Sequence, residues 1–141
     1  MILSELMRYM AEKHGATVNI EALHPAFYNR ESLKLAPDQY LHHGVYCLYA
    51  KLRGDFTICS GNKRRSVALA RDGKIRCGLC PNGVWDLACP VIVYDNLAAV
   101  VYVGHFSLPE RPLRVFPGAG FTGHLPRLTS GKIPELTAAA R

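Results

Sequence analysis

The stretch that decides the fold is Cys77–Ser107, CGLCPNGVWDLACPVIVYDNLAAVVYVGHFS. It contains two apolar runs, Val91–Tyr94 and Leu97–Phe106, joined at Asp95-Asn96. Asp/Asn between β-branched runs favours a hairpin, because Asn tolerates positive φ. Both runs are too apolar for strands with one solvated face, so the sequence predicts two central strands covered on both sides. Gly104 predicts a bulge or a close approach by another backbone or a ligand.

The residues before this hairpin predict the remaining elements. Apolar residues at helical spacing predict a helix over residues 4–14 with Ser4 as N-cap and Gly15 as its end. Alternation predicts a half-buried strand from Thr17 to Leu23. Residues 25–44 are expected to form a loop with one helical turn, and Val45–Arg53 a helix. A second helix is expected over 62–71, capped by Ser60 and ended by Gly73. The sequence then predicts a short strand at Lys74–Arg76, a turn at Pro81-Asn82-Gly83 and an amphipathic segment at Val84–Ala88.

Length and composition predict one domain of ordinary globular character. The chain has 141 residues, of which 49% are hydrophobic and 20% are charged. No basic start precedes an apolar core at the N-terminus, and no apolar run is long enough to cross a membrane, so we expect a cytoplasmic protein without membrane contact. We expect one folded unit over residues 1–110. Residues 111–141 are rich in proline and glycine and are expected to be a tail that extends or covers the same domain.

Five cysteines without a secretion signal predict reduced thiols rather than disulfides. Cys77 and Cys80 have the spacing with which two thiolates reach one metal ion, and Cys47 and Cys59 could complete the set. Zinc and an iron–sulfur cluster are both open. The competing interpretation is that Cys47, Cys59 and Cys89 are small apolar core residues. A catalytic thiol is less favoured, because no partner histidine is placed by the sequence.

A second set of candidate residues is polar and lies along the predicted hairpin. Trp85, Asp86, Tyr102 and His105 could fix the orientation of a small ligand against apolar walls. Each has an ordinary structural alternative: a core tryptophan, a surface or capping aspartate, a buried tyrosine and a core histidine. Small-molecule binding by this set is therefore a hypothesis about the four residues together.

The formal charge is +6, a mild basic bias. A basic group could bind phosphates or form a solvated helix face; its members are Lys63, Arg64, Arg65, Arg71, Lys74 and Arg76. No helix-turn-helix pattern and no series of stacking aromatics accompanies it, so we expect no direct DNA binding. The sequence also lacks the common nucleotide-binding, hydrolase and metalloprotease motifs, so there is no positive case for an enzyme.

Part of the stretch Cys77–Ser107 resembles a known family. The run Cys80–Val93, CPNGVWDLACPVIV, followed by Val103–Phe106, VGHF, is similar to the hallmark of PocR-type sensory domains, C-[HP]-x-G-L-x-D-x-A-x-P-I-x-V, a turn, and a strand ending in G-Q. The order of upstream elements is also compatible, and the resemblance covers about residues 3–107.

The resemblance implies an α+β fold with a PAS/GAF-like antiparallel sheet flanked by helices. It implies a domain that binds a small organic molecule, such as a short diol or a related hydrocarbon derivative, and passes the signal to an output. By position, Cys47, Cys59 and Cys80 match the family's recurring cysteines, and Trp85, Asp86 and Pro90 match its central motif.

The chain departs from the family pattern at several positions. His105 stands where the family usually has Gln, Asn96 stands where the turn usually has Gly, and Cys77 and Cys89 are additional. Since no output domain follows in this sequence, we expect a non-catalytic, stand-alone sensor that signals through a homodimer or a separate output protein, or else a fragment of a longer protein. The alternative is a redox sensor whose cysteines hold a metal or an iron–sulfur cluster.

Overall fold

The structure is a computed structural model, and it describes residues 2–40, 42, 47–48, 51 and 56–107. In this part of the chain four strands form one antiparallel sheet in the order β1–β4–β3–β2, with helices against it. This confirms the predicted α+β class. The elements are α1 (Leu3–His14), β1 (Thr17–Ala22), α2 (Ala26–Asn29), two 3-10 turns (Glu31–Leu33 and Pro37–Gln39), α3 (Phe56–Ala70), β2 (Arg76–Leu79), β3 (Val84–Val93) and β4 (Asn96–Ser107).

The predicted central hairpin is confirmed as β3 and β4, with its turn one residue earlier than expected. Tyr94 and Asp95 have φ of 49° and 62°, whereas Asn96 begins β4. Two successive positive φ angles belong to the tight turn whose twist matches that of the strands. Asn96 contributes through its side chain, which donates to the Tyr94 carbonyl at 2.8 Å.

Strand β3 is longer than the sequence suggested. The predicted amphipathic segment Val84–Ala88 and the apolar run after it form one strand that includes Pro90. Beyond Ala88 the strand has β4 as its only partner among the described residues. A proline is compatible with a strand paired on one side, because the ladder there needs fewer N–H donors.

Gly104 lies at one of two irregularities in the β3–β4 ladder, which confirms the predicted bulge and close approach. The partner on β4 jumps from Phe106 to Gly104 as β3 passes from Trp85 to Asp86. Gly104 has φ of 146°, and a Cβ built on it would lie 2.8 Å from the Trp85 carbonyl oxygen. Only glycine fits both the backbone angle and the contact. The second irregularity, after Val91, has no glycine and was not foreseen.

Helix α1 and strand β1 match their predicted positions, but the predicted cap is wrong. Ile2 is the N-cap, and its N–H donates to the Glu5 carboxylate at 3.4 Å. Ser4 lies inside the helix and is buried, and its carbonyl accepts from the side chain of Gln39. Gly15 ends the helix with φ of 58°, as expected for a left-handed C-terminal residue.

Residues 25–40 follow the outer edge of β1. They contain α2 and two 3-10 turns, more regular structure than the one helical turn expected. Asn19 of β1 donates to the Asp38 carbonyl at 3.0 Å, and Lys63 of α3 donates to the Tyr40 carbonyl at 3.2 Å. Together with the contact of Gln39 on α1, these bonds show that the segment passes from the α1 side to the α3 side around the edge strand.

Helix α3 begins earlier than predicted, so the assignment of Ser60 as its N-cap is wrong. The helix starts at Phe56, and the Ser60 hydroxyl donates to the Thr57 carbonyl at 3.2 Å within it. Gly73 follows the helix with φ of 76°, and its N–H donates to the Ala70 carbonyl, as expected. Of the helix predicted at Val45–Arg53, residues 47, 48 and 51 are helical, and the other six lie outside the described residues.

The short strand predicted at Lys74–Arg76 is shifted: β2 begins at Arg76 and ends at Leu79. Asp72 explains the shift, since it accepts from the Lys74 N–H and pairs with the Arg76 guanidinium. These bonds hold residues 72–75 as a turn after the helix. Strand pairing then starts where Arg76 meets Ala88.

The sheet has two different faces. The α1 face is closed by α1 and by apolar packing; its sheet residues include Val18, Ile20, Leu87, Cys89, Val101 and Val103. The α3 face carries Val84, Asp86, Ala88, Val100 and Tyr102 beneath α3. Ala99, Val100 and Tyr102 are buried, so the prediction of a strand covered on both sides is correct for β4.

The outer end of the hairpin departs from that prediction. Ile92, Val93 and Tyr94 are exposed, and Tyr94 retains 93% of its accessible surface. The hairpin extends past both covering helices at this end, so the prediction from apolar composition overestimated the burial of these three residues. No helix in the described part of the chain is long and apolar enough to cross a membrane. The predictions for residues 111–141 lie outside the described residues.

Candidate functional site

A cavity of about 400 Å³ lies between the α3 face of the sheet and helix α3. Its floor comes from β2, β3 and β4, its cover from α3, and one side from residues 42, 47 and 51. This volume is in the range of small-molecule sites. Among the described residues, the principal cover of the cavity is α3; most of residues 41–55 lie outside the described part of the chain.

Helix α3 faces the cavity with a mixed stripe rather than an apolar one. The stripe repeats every three or four positions, as one face of a helix does; its members are Phe56, Cys59, Lys63, Ser66 and Ala70. Only Ala70 of the helix is fully buried. A helix with so few apolar contacts leaves room between itself and the sheet, and that room is the cavity.

Tyr102 is the most deeply placed polar residue of the cavity. Its exposed fraction is 4%, and its hydroxyl has no hydrogen-bond partner among the described residues. Ser66 interacts with it and partly offsets the effect of burial, which raises the pKa of Tyr102 to about 12. The hydroxyl therefore stays protonated at neutral pH. A buried polar group without a partner is costly, and a ligand that accepts its proton would remove this cost.

Two further groups fix the Tyr102 ring. His42 packs edge-on against it with ring centroids 5.6 Å apart, and the Lys63 ammonium lies 5.9 Å from its centroid. Lys63 is itself held by the Glu21 carboxylate at 2.8 Å. The ring thus has a defined orientation, with its hydroxyl in the cavity wall.

Four of the five cysteines line the same cavity: the half-buried Cys47, Cys59 and Cys80, and the exposed Cys77. Cys80 precedes the turn between β2 and β3, in which its N–H donates to the Val84 carbonyl at 2.8 Å. Asn82 of that turn is buried and donates to the Cys59 sulfur at 3.4 Å. The turn predicted at Pro81-Asn82-Gly83 therefore positions one thiol directly and contacts a second.

Burial raises the pKa of two of these thiols, Cys47 and Cys80, and so makes them weaker acids. It raises the pKa of Cys47 from 9.0 to about 12, and the Asp86 carboxylate and Cys80 add to the effect. Burial also raises the pKa of Cys80. Protonated thiols are poor nucleophiles and poor metal ligands, so the described surroundings favour neutral, packed sulfur atoms.

The four cysteines of the predicted metal set all line this cavity, and they differ in burial. Cys47, Cys59 and Cys80 are half-buried, whereas Cys77 is exposed on the edge strand β2. Within the described residues, no three His, Cys, Asp or Glu side chains converge as ligands of one metal ion. The donor set in this arrangement does not fit zinc or a cluster. Cys89 packs with Leu87 and Val103 on the α1 face.

The predicted ligand set divides between the two faces. Asp86 and Tyr102 line the cavity. Trp85 is buried on the α1 face, with its ring 6.3 Å from that of Phe106, and it does not reach the cavity. The alternation of neighbours along β3 places Trp85 and Asp86 on opposite faces. The side chain of His105 lies outside the described residues.

Sequence reasoning missed the contribution of α3 and of the basic residues near it. Lys51, Lys63, Arg65, Lys74 and Arg76 all line the cavity. The sequence did contain a basic group, but its spacing suggested an exposed helix face. Lys63 instead points toward the sheet, where Glu21 neutralises it. A charge pair between residues so distant in sequence leaves no local signal.

No protein-family model matches this chain, and neither curated proteins nor solved structures include a match.

Proposed function

We propose that this chain is a cytoplasmic, non-catalytic sensory domain that binds a small organic molecule between the sheet and α3. The observation that carries the proposal is the cavity of about 400 Å³ between the sheet and α3, which has Asp86 and the buried Tyr102 among its lining residues. Apolar walls with a few orienting polar groups are typical of ligand sites. Here the walls include Val84 and Ala88, and the polar groups are Tyr102 and Asp86.

Membership of the PocR-type sensory family is part of this proposal. Its support is the motif at Cys80–Val93 and its location, because the turn and the first half of β3 form one side of the cavity. Asp86 of the motif faces the cavity, and Cys80 lines it. Trp85 would serve the fold rather than the ligand.

The signal would be a change in the position of α3. The described helix rests on the sheet mainly through Val67 and Ala70, near its C-terminal end. A ligand beneath its first turns would favour one arrangement of the helix over another, and a partner protein or a second copy would read the difference. A ligand can shift this equilibrium only as far as its affinities for the two arrangements differ.

A thermal-shift screen with small acids, alcohols and aromatic compounds tests the proposal. We expect at least one compound to raise the melting temperature by about 3 °C or more at saturating concentration. The Tyr102→Phe variant should lose most of this shift. Its own unfolding free energy should stay within about 1 kcal/mol of the parent, because the hydroxyl it removes has no described partner.

A cavity-filling variant provides the matched control. Ala88→Phe introduces a ring into the cavity floor, and Ala68→Phe introduces the same ring on the exposed side of α3. Binding should be lost in the first variant and kept in the second. A folded parent that is stabilised by no compound, or by compounds that act equally on Ala88→Phe, would contradict the proposal.

The second candidate is a metal or iron–sulfur redox sensor. It is favoured by one observation, the four thiols of the predicted metal set along one cavity. The described side chains are not arranged as ligands, so this candidate requires a different arrangement of the site when metal is bound. Metal and acid-labile sulfide analysis of protein purified without oxygen tests it. Stoichiometric metal that is lost in Cys80→Ser would support it, and a folded metal-free protein would exclude it.

A further inference from the structure

The cavity that the proposed function uses is lined by unequal charge. Among the described lining residues, one carboxylate, Asp86, faces five cationic side chains: Lys51, Lys63, Arg65, Lys74 and Arg76. Two of the five are neutralised, Lys63 by Glu21 and Arg76 by Asp72. The other three have no carboxylate at salt-bridge distance within the described residues. The described lining of the cavity therefore carries an excess of positive charge.

Lys51 is the cation best placed to act on a ligand. Its side chain is half-buried in the cavity wall, and its ammonium donates to the His42 backbone carbonyl at 2.6 Å. The ring of the same His42 packs against Tyr102. His42 therefore contacts both the Lys51 ammonium and the Tyr102 ring in the wall of the cavity.

A half-buried ammonium in the wall of a largely apolar cavity suits an anionic oxygen. Lys51 has ammonium protons beyond the one that His42 accepts, and these can donate to a ligand. Hydrogen bonds to a charged group are about twice as strong as neutral ones. The Asp86 carboxylate on the same cavity opposes a second negative charge.

We infer that the ligand of this cavity is a monoanionic organic acid, with its anionic group at Lys51 and an apolar body between α3 and the sheet. This inference rests on the proposed function and specifies its ligand class. The volume of about 400 Å³ lies in the range of sites that hold small organic ligands. Neutral alcohols and amides of the same shape would lack the charge-assisted hydrogen bond to Lys51.

A matched pair of fluorescent probes tests the inference without knowledge of the natural ligand. 8-Anilinonaphthalene-1-sulfonate and N-phenyl-1-naphthylamine share one ring system, and only the first carries a negative charge. We expect the parent protein to bind the anionic probe about tenfold more tightly than the neutral one. Lys51→Met should remove most of this preference by weakening the anionic probe alone.

Two controls separate the cavity from the basic surface. Arg71→Met removes one exposed charge outside the cavity and should leave the preference intact. Ala88→Phe should reduce binding of both probes, because it fills the cavity floor. Binding that survives Ala88→Phe, or that Arg71→Met weakens as much as Lys51→Met, would place the anionic probe on the surface and overturn the inference.

The remaining outcomes distinguish failure of the anionic ligand class from failure of the proposed function. Equal or tighter binding of the neutral probe in the parent, lost in Ala88→Phe, would overturn the anionic ligand class and leave the proposed function standing. Binding of neither probe to the folded parent would count against the proposed function, and the inference would fail with it.

Discussion

At the scale of single residues, two positions in the central hairpin join the fold to the site. Gly104 allows β4 to lie against the Trp85 carbonyl, and the same irregularity sets the position of Asp86 in the cavity floor. Tyr102, two residues earlier on β4, provides the unpartnered hydroxyl. The local shape of the ladder therefore determines which polar groups reach the ligand.

Replacing Gly104 should be severely destabilising. Gly104→Ala places a Cβ 2.8 Å from the Trp85 oxygen and 3.1 Å from Asp86 Cα, at a φ that side chains rarely adopt. Strain and crowding together should lower the unfolding free energy by about 3 kcal/mol, measured by chemical denaturation. Gly78→Ala on strand β2 is the control, because a Cβ there meets nothing within 4 Å. Equal effects of the two substitutions would contradict this account of Gly104.

Burial of Cys89 predicts a loss of stability in alkaline solution. Burial raises the pKa of this thiol from 9.0 to about 11 in the folded protein. The unfolded chain therefore loses the thiol proton first, so stability is complete below pH 9 and declines as the pH rises toward 11. The unfolding free energy measured between pH 8 and pH 10.5 should show this decline.

Two variants isolate the contribution of Cys89. Cys89→Ala and Cys89→Val both remove the titrating group, although they differ in how well they pack against Leu87 and Val103. Both should make the alkaline decline shallower, whatever their stability at neutral pH. A decline as steep as that of the parent in both variants would show that Cys89 titrates equally in the folded and unfolded states.

At the scale of elements, the hairpin was predictable and the cover of the site was not. Apolar β-branched runs around Asp95-Asn96 identified β3 and β4, since sheet-forming residues and turn residues are local signals. The position of the turn could not be predicted from the sequence, because tyrosine rarely adopts positive φ and Tyr94 does so here. The bulge after Val91 has no glycine to mark it.

The candidate site, too, could be predicted from the sequence only in part. Tyr102 and Asp86 were identified because polar residues in an apolar hairpin stand out in the sequence. Trp85 was grouped with them, although its position next to Asp86 on a strand sends it to the other face. The roles of Lys51 and Lys63 depend on contacts with His42 and Glu21 that only the folded chain creates.

The hairpin turn provides a test at this scale. Tyr94 has φ of 49° and is almost fully exposed, so its side chain contributes little packing to offset the backbone strain. Tyr94→Asn should raise the unfolding free energy by about 0.5–1 kcal/mol, because asparagine is among the residues preferred in this turn. Tyr94→Ala removes the ring without this preference and should show no gain. An equal gain in both variants would assign the effect to loss of the ring.

At the scale of the whole molecule, the sheet divides two tasks between its faces. The α1 face is filled by apolar clusters around Ile20 and Leu87 and provides stability. The α3 face has a smaller cluster around Val100 and leaves the cavity beside it. A protein that seals one face and leaves space on the other can change the position of one helix without losing its core.

The location of ligand binding is the central claim, and chemical-shift mapping tests it most directly. The measurement is a titration of ¹⁵N-labelled protein with 8-anilinonaphthalene-1-sulfonate, with the backbone amides assigned. The account predicts the largest shifts at Asp86, Ala88 and Tyr102 and along the cavity side of α3, and small shifts along α1. Shifts concentrated on α1 or on the exposed tip around Ile92 and Tyr94, with the cavity residues unchanged, would contradict it.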